Sequence, residues 1–189
     1  MKSEELKQPL IPIQNQVTEV ESQTEAPKKE KQRSAELQLE NVIIPRGMIV
    51  GLIGKVGSGK SNIFNAILGE MKHDKIKGLE IEINGRVGYI GQKPWIMNGT
   101  VKENILMNLE EDEERLKYAL KYSCLDDDLK MMSKGVDTET GEGGDGLSGG
   151  QRTRVALAQC LYRNPDIYLL DDILSALDAE VGSFIMEET

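Results

Sequence analysis

Eight consecutive residues, Gly54-Lys55-Val56-Gly57-Ser58-Gly59-Lys60-Ser61, have the types and spacing of a phosphate cradle. In a Gly-x-x-x-x-Gly-Lys-Ser loop, bare backbone N–H groups curl around phosphate oxygens, an approach that side chains at Gly57 or Gly59 would block. Lys60 brings a positive charge toward the β- and γ-phosphates of a nucleotide, and the Ser61 hydroxyl is a suitable oxygen ligand for the Mg²⁺ that neutralises them. Asn62 follows at the opening of a helix whose N-terminus faces the anion. The spacing lacks the third glycine of a dinucleotide-binding fingerprint, which excludes that reading.

Two further groups carry chemistry. Asp171 and Asp172 close the aliphatic run Ile167 to Leu170. The carboxyl end of a parallel strand is where open α/β sheets bind ligands, so Asp171 can hold Mg²⁺ through water. Asp172 stands where a hydrolytic site needs a base or a water-positioning carboxylate. Taken alone, such an acid pair is equally a polar turn or a helix cap. The third group is Leu147-Ser148-Gly149-Gly150-Gln151. Ser148 is a natural N-cap, and the helix after it offers unpaired N–H groups and a positive dipole end to an anion. An ordinary capped helix after a flexible loop has the same composition.

These residues need elements to hold them. Met48 to Ile53 is an apolar run of strand length leading into the phosphate loop, and Asn62 to Leu68 reads as the helix behind it. Ile167 to Leu170, bounded upstream by Asn164-Pro165, reads as a buried parallel strand. From Arg152 to Tyr162 the period is helical, with Val155, Leu157, Ala158, Leu161 and Tyr162 on an apolar stripe. Leu79 to Ile90, around Asn84-Gly85, reads as a hairpin. The acid clusters Glu110 to Glu114 and Asp126 to Asp128 are solvated faces or helix starts. Cys124 and Cys160 fall on expected helices without metal-ligand spacing, as buried reduced thiols of a cytosolic protein do.

Taken in order along the chain, these motifs resemble the nucleotide-binding domain of an ATP-binding-cassette transporter. Gly54 to Ser61 is similar to the family's Walker A loop, Ile167 to Asp172 to its Walker B strand, Leu147 to Gln151 to its signature, Ser175-Ala176-Leu177-Asp178 to its D-loop and Gln92 to its Q-loop. The resemblance runs from about Leu37 to the C-terminus. Gly99 to Leu106, Gly141 to Gly146 and Asp172 in place of Glu are most like the first cassette of subfamily C, the multidrug-resistance-associated type; Ile173 departs from the proline usual there.

The resemblance implies an α/β P-loop ATPase core with a helical signature subdomain over about 100–160. It implies ATP and Mg²⁺ as cofactors, with Gly54 to Asn62 on the nucleotide and Ser61, Gln92 and Asp171 toward the metal. Asp172 and Gln92 take the catalytic positions. Two cassettes of the family close head to tail, so Leu147 to Gln151 would reach the ATP of a second nucleotide-binding domain. The transmembrane domains of an exporter, in cis or in trans, complete the partners, on the cytosolic face of a membrane. Asp172 is one methylene shorter than Glu and reaches an attacking water less well, which implies a slow or binding-dominated site. His73, the chain's one histidine, lies between the phosphate-loop helix and the segment Leu79 to Ile83, well before the D-loop, so no switch histidine follows the D-loop; weak or absent hydrolysis by the isolated chain is expected. All aromatic residues follow the phosphate loop, which leaves adenine no upstream ring to stack on, and Trp95 is expected at an interface or in the core. A non-catalytic nucleotide-dependent module and a soluble cassette ATPase are the alternatives.

Composition bounds the rest. The 189 residues carry 23 Lys and Arg against 32 Asp and Glu, a net charge of −9, so a broad nucleic-acid footprint is not expected. No apolar run approaches the ~20 residues that span a bilayer, and the N-terminus lacks a signal-peptide core. Residues 1–34, rich in Lys, Glu, Gln and Pro, read as a disordered leader or linker. The expected cassette, residues 35–189, is partial and incomplete at its C-terminus.

Overall fold

The strand Val87–Ile90 (β1) lies parallel to the strand Ile167–Leu170 (β2), in register from Val87 opposite Ile167 to Ile90 opposite Leu170. This pairing organises the better packed part of the protein, a computed structural model that describes residues 42–71 and 81–173. The chain divides into two units between Leu79 and Glu80. Residues 1–34, His73, the D-loop Ser175 to Asp178 and Phe184 lie outside the described residues.

In the first unit, helix Lys60–Ile67 (α1) begins where the phosphate-loop reading requires. Its N-cap is Gly59, with φ 88°, a left-handed conformation that glycine adopts without the Cβ penalty. The strand expected over Met48 to Ile53 does not form among the described residues, and Met48, Ile49, Val50 and Ile53 are exposed. An apolar run becomes a strand only where a neighbouring strand accepts from its N–H groups and donates to its C=O groups, and the described residues of this unit supply none.

In the second unit, four helices connect β1 to β2: Val101–Leu106 (α2), Glu113–Tyr122 (α3), Asp126–Met131 (α4) and Gly149–Arg163 (α5). Each of the first two has a side-chain start signal. Thr100 and Glu103 form a capping box at α2, and the Asp112 carboxylate accepts from the Arg115 N–H at 3.0 Å at α3. The acid clusters therefore do begin α3 and α4, as their composition suggests. Helix α5 is the core element. Thr153, Val155, Ala156, Leu157, Ala158, Cys160, Leu161 and Tyr162 are buried on it, so it is enclosed on more sides than a single stripe requires. It packs on α2, α3 and β1, and each fully buried Val or Leu contributes about 1.5–3 kcal/mol.

Two further expectations are corrected. No hairpin forms over the described part of Leu79 to Ile90: residues 81–86 are not strand, and β1 pairs with β2 instead. The Arg86 N–H donates to Asp166 Oδ2 at 2.8 Å, and the Arg86 carbonyl accepts from the Ile167 N–H at 3.0 Å. A two-stranded hairpin is marginal in water, whereas the parallel pair packs against α5 and buries Ile90 and Leu169. Cys124 is not helical; it lies in the turn between α3 and α4 with φ 54°. Asp128, in the cluster that begins α4 as expected, has a side chain that is 14% exposed and ion-paired. Gly88, by contrast, is dictated by packing, because a Cβ there would lie 2.7 Å from the Cys160 Sγ of α5.

The Tyr162 ring is fully buried, and its hydroxyl donates to the Glu110 carbonyl at 2.6 Å while accepting from the Asp112 N–H at 2.9 Å. It thereby ties α5 to the start of α3. Tyr162→Phe leaves both backbone groups short of a partner and is expected to lower unfolding free energy by about 1–3 kcal/mol in urea denaturation. An unchanged midpoint would show that water replaces the hydroxyl without loss.

Candidate functional site

In the phosphate loop, the left-handed residues Gly57 and Gly59 turn the backbone, and the Ser58 N–H donates to the Lys55 carbonyl at 3.1 Å. The Lys60 ammonium lies over the loop, donating to the carbonyls of Gly54 at 3.0 Å and Lys55 at 3.1 Å. Among the described residues, the Ser58 hydroxyl is buried and lacks a hydrogen-bond partner. A lysine charge, a left-handed turn into a helix N-terminus and an unsatisfied hydroxyl form a donor set that fits a polyphosphate. Ser61 is exposed at the first turn of α1.

In the second unit, parallel pairing brings together residues some 80 positions apart. The Asp171 N–H donates to the Ile90 carbonyl at 2.9 Å and so extends the ladder past β2. Gln92, two residues beyond β1, donates from its side-chain amide to Asp172 Oδ2 at 3.3 Å. Gln92, Asp171 and Asp172 therefore share the carboxyl ends of two adjacent strands, the position at which α/β sheets present ligand-binding groups. Asp172 has φ 54°, a left-handed conformation uncommon outside glycine but tolerated by Asp. Beside this edge lies an open cleft of about 630 Å³ lined by Gln92, Trp95, Gln159, Cys160 and Asp171. Trp95 is 69% exposed, which excludes the core as its place.

At the other end of α5, Ser148 and Gln151 cap the helix reciprocally. The Ser148 Oγ accepts from the Gln151 N–H at 3.2 Å, and the Gln151 Oε1 accepts from the Ser148 N–H at 2.9 Å. Leu147 is buried beneath this turn, while Ser148 and Gly149 are exposed. The signature thus presents its glycines at the N-terminus of a long buried helix. Sequence reasoning missed the support of this turn. Arg154 donates to both carboxylate oxygens of Asp128, at 2.6 and 3.0 Å, and the Gln151 Nε2 donates to Asp128 Oδ1 at 3.2 Å. The one available signal was the i, i+3 spacing of Gln151 and Arg154, which puts both on one side of α5.

The fold and these groups define a P-loop nucleotide-binding domain of the cassette type. The family model "ABC transporter" matches residues 37–175, and the chain belongs to that family, whose domains bind and hydrolyse ATP. It is 47% identical over 152 residues to "Multidrug resistance protein mrp-7" of Caenorhabditis elegans, covering 80% of this chain and 10% of that protein. It is also 47% identical over 148 residues to human "ATP-binding cassette sub-family C member 2", covering 78% and 9%, respectively. A third relative, "ABC transporter C family member 8" of Dictyostelium discoideum, is 43% identical over 147 residues, covering 78% and 9%. The domain is thus of the subfamily C kind, and the chain spans about a tenth of the length of these relatives. Among the described residues no helix is long and apolar enough to cross a membrane.

Burial pushes the Cys160 thiol up to about 11 from its ordinary 9.0, with Arg163 opposing the shift. The folded state therefore keeps the thiol proton where the unfolded chain has lost it. Below pH 9 both states are protonated and stability is unaffected; between about 9 and about 11 unfolding releases a proton and stability falls. Cys160→Ser is expected to flatten this alkaline decline in urea midpoints measured from pH 8 to pH 11. An equally steep decline in the variant would place its cause elsewhere.

Proposed function

We propose that this chain binds Mg²⁺-ATP as one cassette of a subfamily C exporter, in a site dominated by binding rather than turnover. The carrying observation is the hydrogen bond from Gln92 to Asp172 at the ends of the paired strands, which makes the Q-loop glutamine and the acid pair one constellation. Gly54 to Asn62 hold the phosphates, with Lys60 exchanging its loop carbonyls for phosphate oxygens. Gln92 and Asp171 of the second unit supply hard oxygen donors of the kind Mg²⁺ takes alongside water and phosphate, and the Ser61 hydroxyl of the first unit is a donor of the same class. With its amide nitrogen directed to Asp172, Gln92 retains its amide oxygen for the cation. When bound, the cation neutralises charge on the β- and γ-phosphates.

Leu147 to Gln151 serve the ATP of a second cassette docked head to tail. The exposed N-terminus of α5, with its dipole and capped first turn, supports this assignment. The helices between β1 and β2 form the signature subdomain over about 100–160, of which the segment around Asp112 to Met132 faces the transmembrane domains at the cytosolic side of the membrane. In this setting, closure on ATP and reopening after hydrolysis supply the two states that move a membrane partner. Asp172 takes the position of the general base. Its short side chain and its bond from Gln92 favour the binding-dominated reading over full catalysis. With the shorter Asp172 in the base position, hydrolysis by the isolated chain is weak.

Titration calorimetry tests the reading. Mg²⁺-ATP should bind wild type and bind Lys60→Ala at least tenfold more weakly; equal affinities overturn it. Phosphate release by wild type should be slow. Robust turnover that collapses in Asp171→Asn would instead make the site a full ATPase.

A further inference from the structure

The acidic run at the start of α4 is divided in its environment. Asp126 and Asp127 are exposed, and Asp127 pairs with Lys130 in solvent. Asp128, one residue on, turns into the protein and meets α5, with side-chain exposures of 14% for Asp128 and 13% for Arg154. Its carboxylate accepts a two-pronged contact from the Arg154 guanidinium at 2.6 and 3.0 Å. The same carboxylate accepts from the Gln151 Nε2 at 3.2 Å. Gln151 uses its other amide atom, Oε1, to hold the Ser148 N–H. A chain of hydrogen bonds thus runs from the Arg154 guanidinium through Asp128 and Gln151 to the backbone of the signature turn.

Such an arrangement does more than stabilise. A glutamine in a capping box on a free helix end samples several rotamers, and the reciprocal cap is only partly populated. Fixing its Nε2 on a partly buried, ion-paired carboxylate selects the rotamer that directs Oε1 to Ser148. The bidentate fork in turn fixes the carboxylate plane, since planar guanidinium and carboxylate groups match in a single orientation.

We propose that Asp128 is a positioning residue of the signature half-site: acting through Gln151, with Arg154 as its clamp, it sets the turn Ser148-Gly149-Gly150 for the phosphate of the opposing cassette's ATP. The inference rests on the reading that this turn meets ATP. It goes further in assigning the geometry of the turn to a residue of a different helix, 20 positions upstream of Ser148.

Amide hydrogen exchange by NMR on the full chain tests the local claim. Asp128→Asn should accelerate exchange at Ser148 and Gln151 about tenfold or more, leave the last turn of α5 unchanged, and leave Mg²⁺-ATP affinity within about twofold. Asp128→Glu, which keeps the charge, should restore most of the protection. Unchanged exchange at Ser148, or equal acceleration along the whole of α5, overturns the proposal. If Asp128→Asn fails to fold, Arg154→Lys, which keeps the charge and loses the fork, is the deciding variant with the same expected pattern. Mg²⁺-ATP-driven association of two copies, followed by sedimentation, should weaken about tenfold in Asp128→Asn; equal association overturns the functional half. Where wild type binds ATP without associating, exchange at Ser148 decides in either direction. Loss of the nucleotide-binding reading has a separate mark, namely equal ATP affinity in wild type and Lys60→Ala.

Discussion

The burial of α5 is the constraint on which the rest of the second unit depends. At 1.5 Å per residue its 15 residues make a rod of about 22 Å, packed against α2, α3 and β1. One end carries the signature turn, capped by Ser148. The other runs through left-handed Asn164 and Pro165 directly into β2 and the acid pair. Because the helix is enclosed, neither end can shift without disturbing the apolar contacts between them. The signature turn and the acid pair of this unit are therefore mounted on one stiff element.

That constraint also explains the pairing of β1 with β2. The strand β1 has a choice between local pairing with residues just before it and distant pairing with a strand 80 residues on. Gly88 allows α5 to approach β1 closely, with the Cys160 sulfur where a side chain would stand. The sheet is covered by the helix on that face. The same packing sets the raised proton affinity of Cys160 and places Gln92 beside Asp172.

Polar links then tune what the apolar contacts position. Tyr162 ties α5 to the head of α3, and Asp128 with Arg154 ties it to α4. Each involves groups withdrawn from water, where a satisfied hydrogen bond adds modestly but an unsatisfied one costs more. The exposed pairs Lys117 with Glu113 and Lys130 with Asp127 are screened by solvent and contribute little beyond helix solubility.

What the sequence by itself determined is what a window of a few residues can encode. Gly59 with Lys60 and Ser61 marks a left-handed turn into a helix, Ser148 an N-cap, Arg152 to Tyr162 a helical period and Ile167 to Leu170 a short apolar strand; each forms as its local chemistry requires. The identity of Gln92 as a site candidate came instead from resemblance, since nothing in its neighbours marks it. The tertiary structure alone decided the partner of β1, the exposure of Trp95 and of Met48 to Ile53, and the enclosure of Asp128. These outcomes depend on which distant surfaces meet. A carboxylate in an acidic run looks the same whether it faces water or a guanidinium 26 residues away, and only packing distinguishes the two.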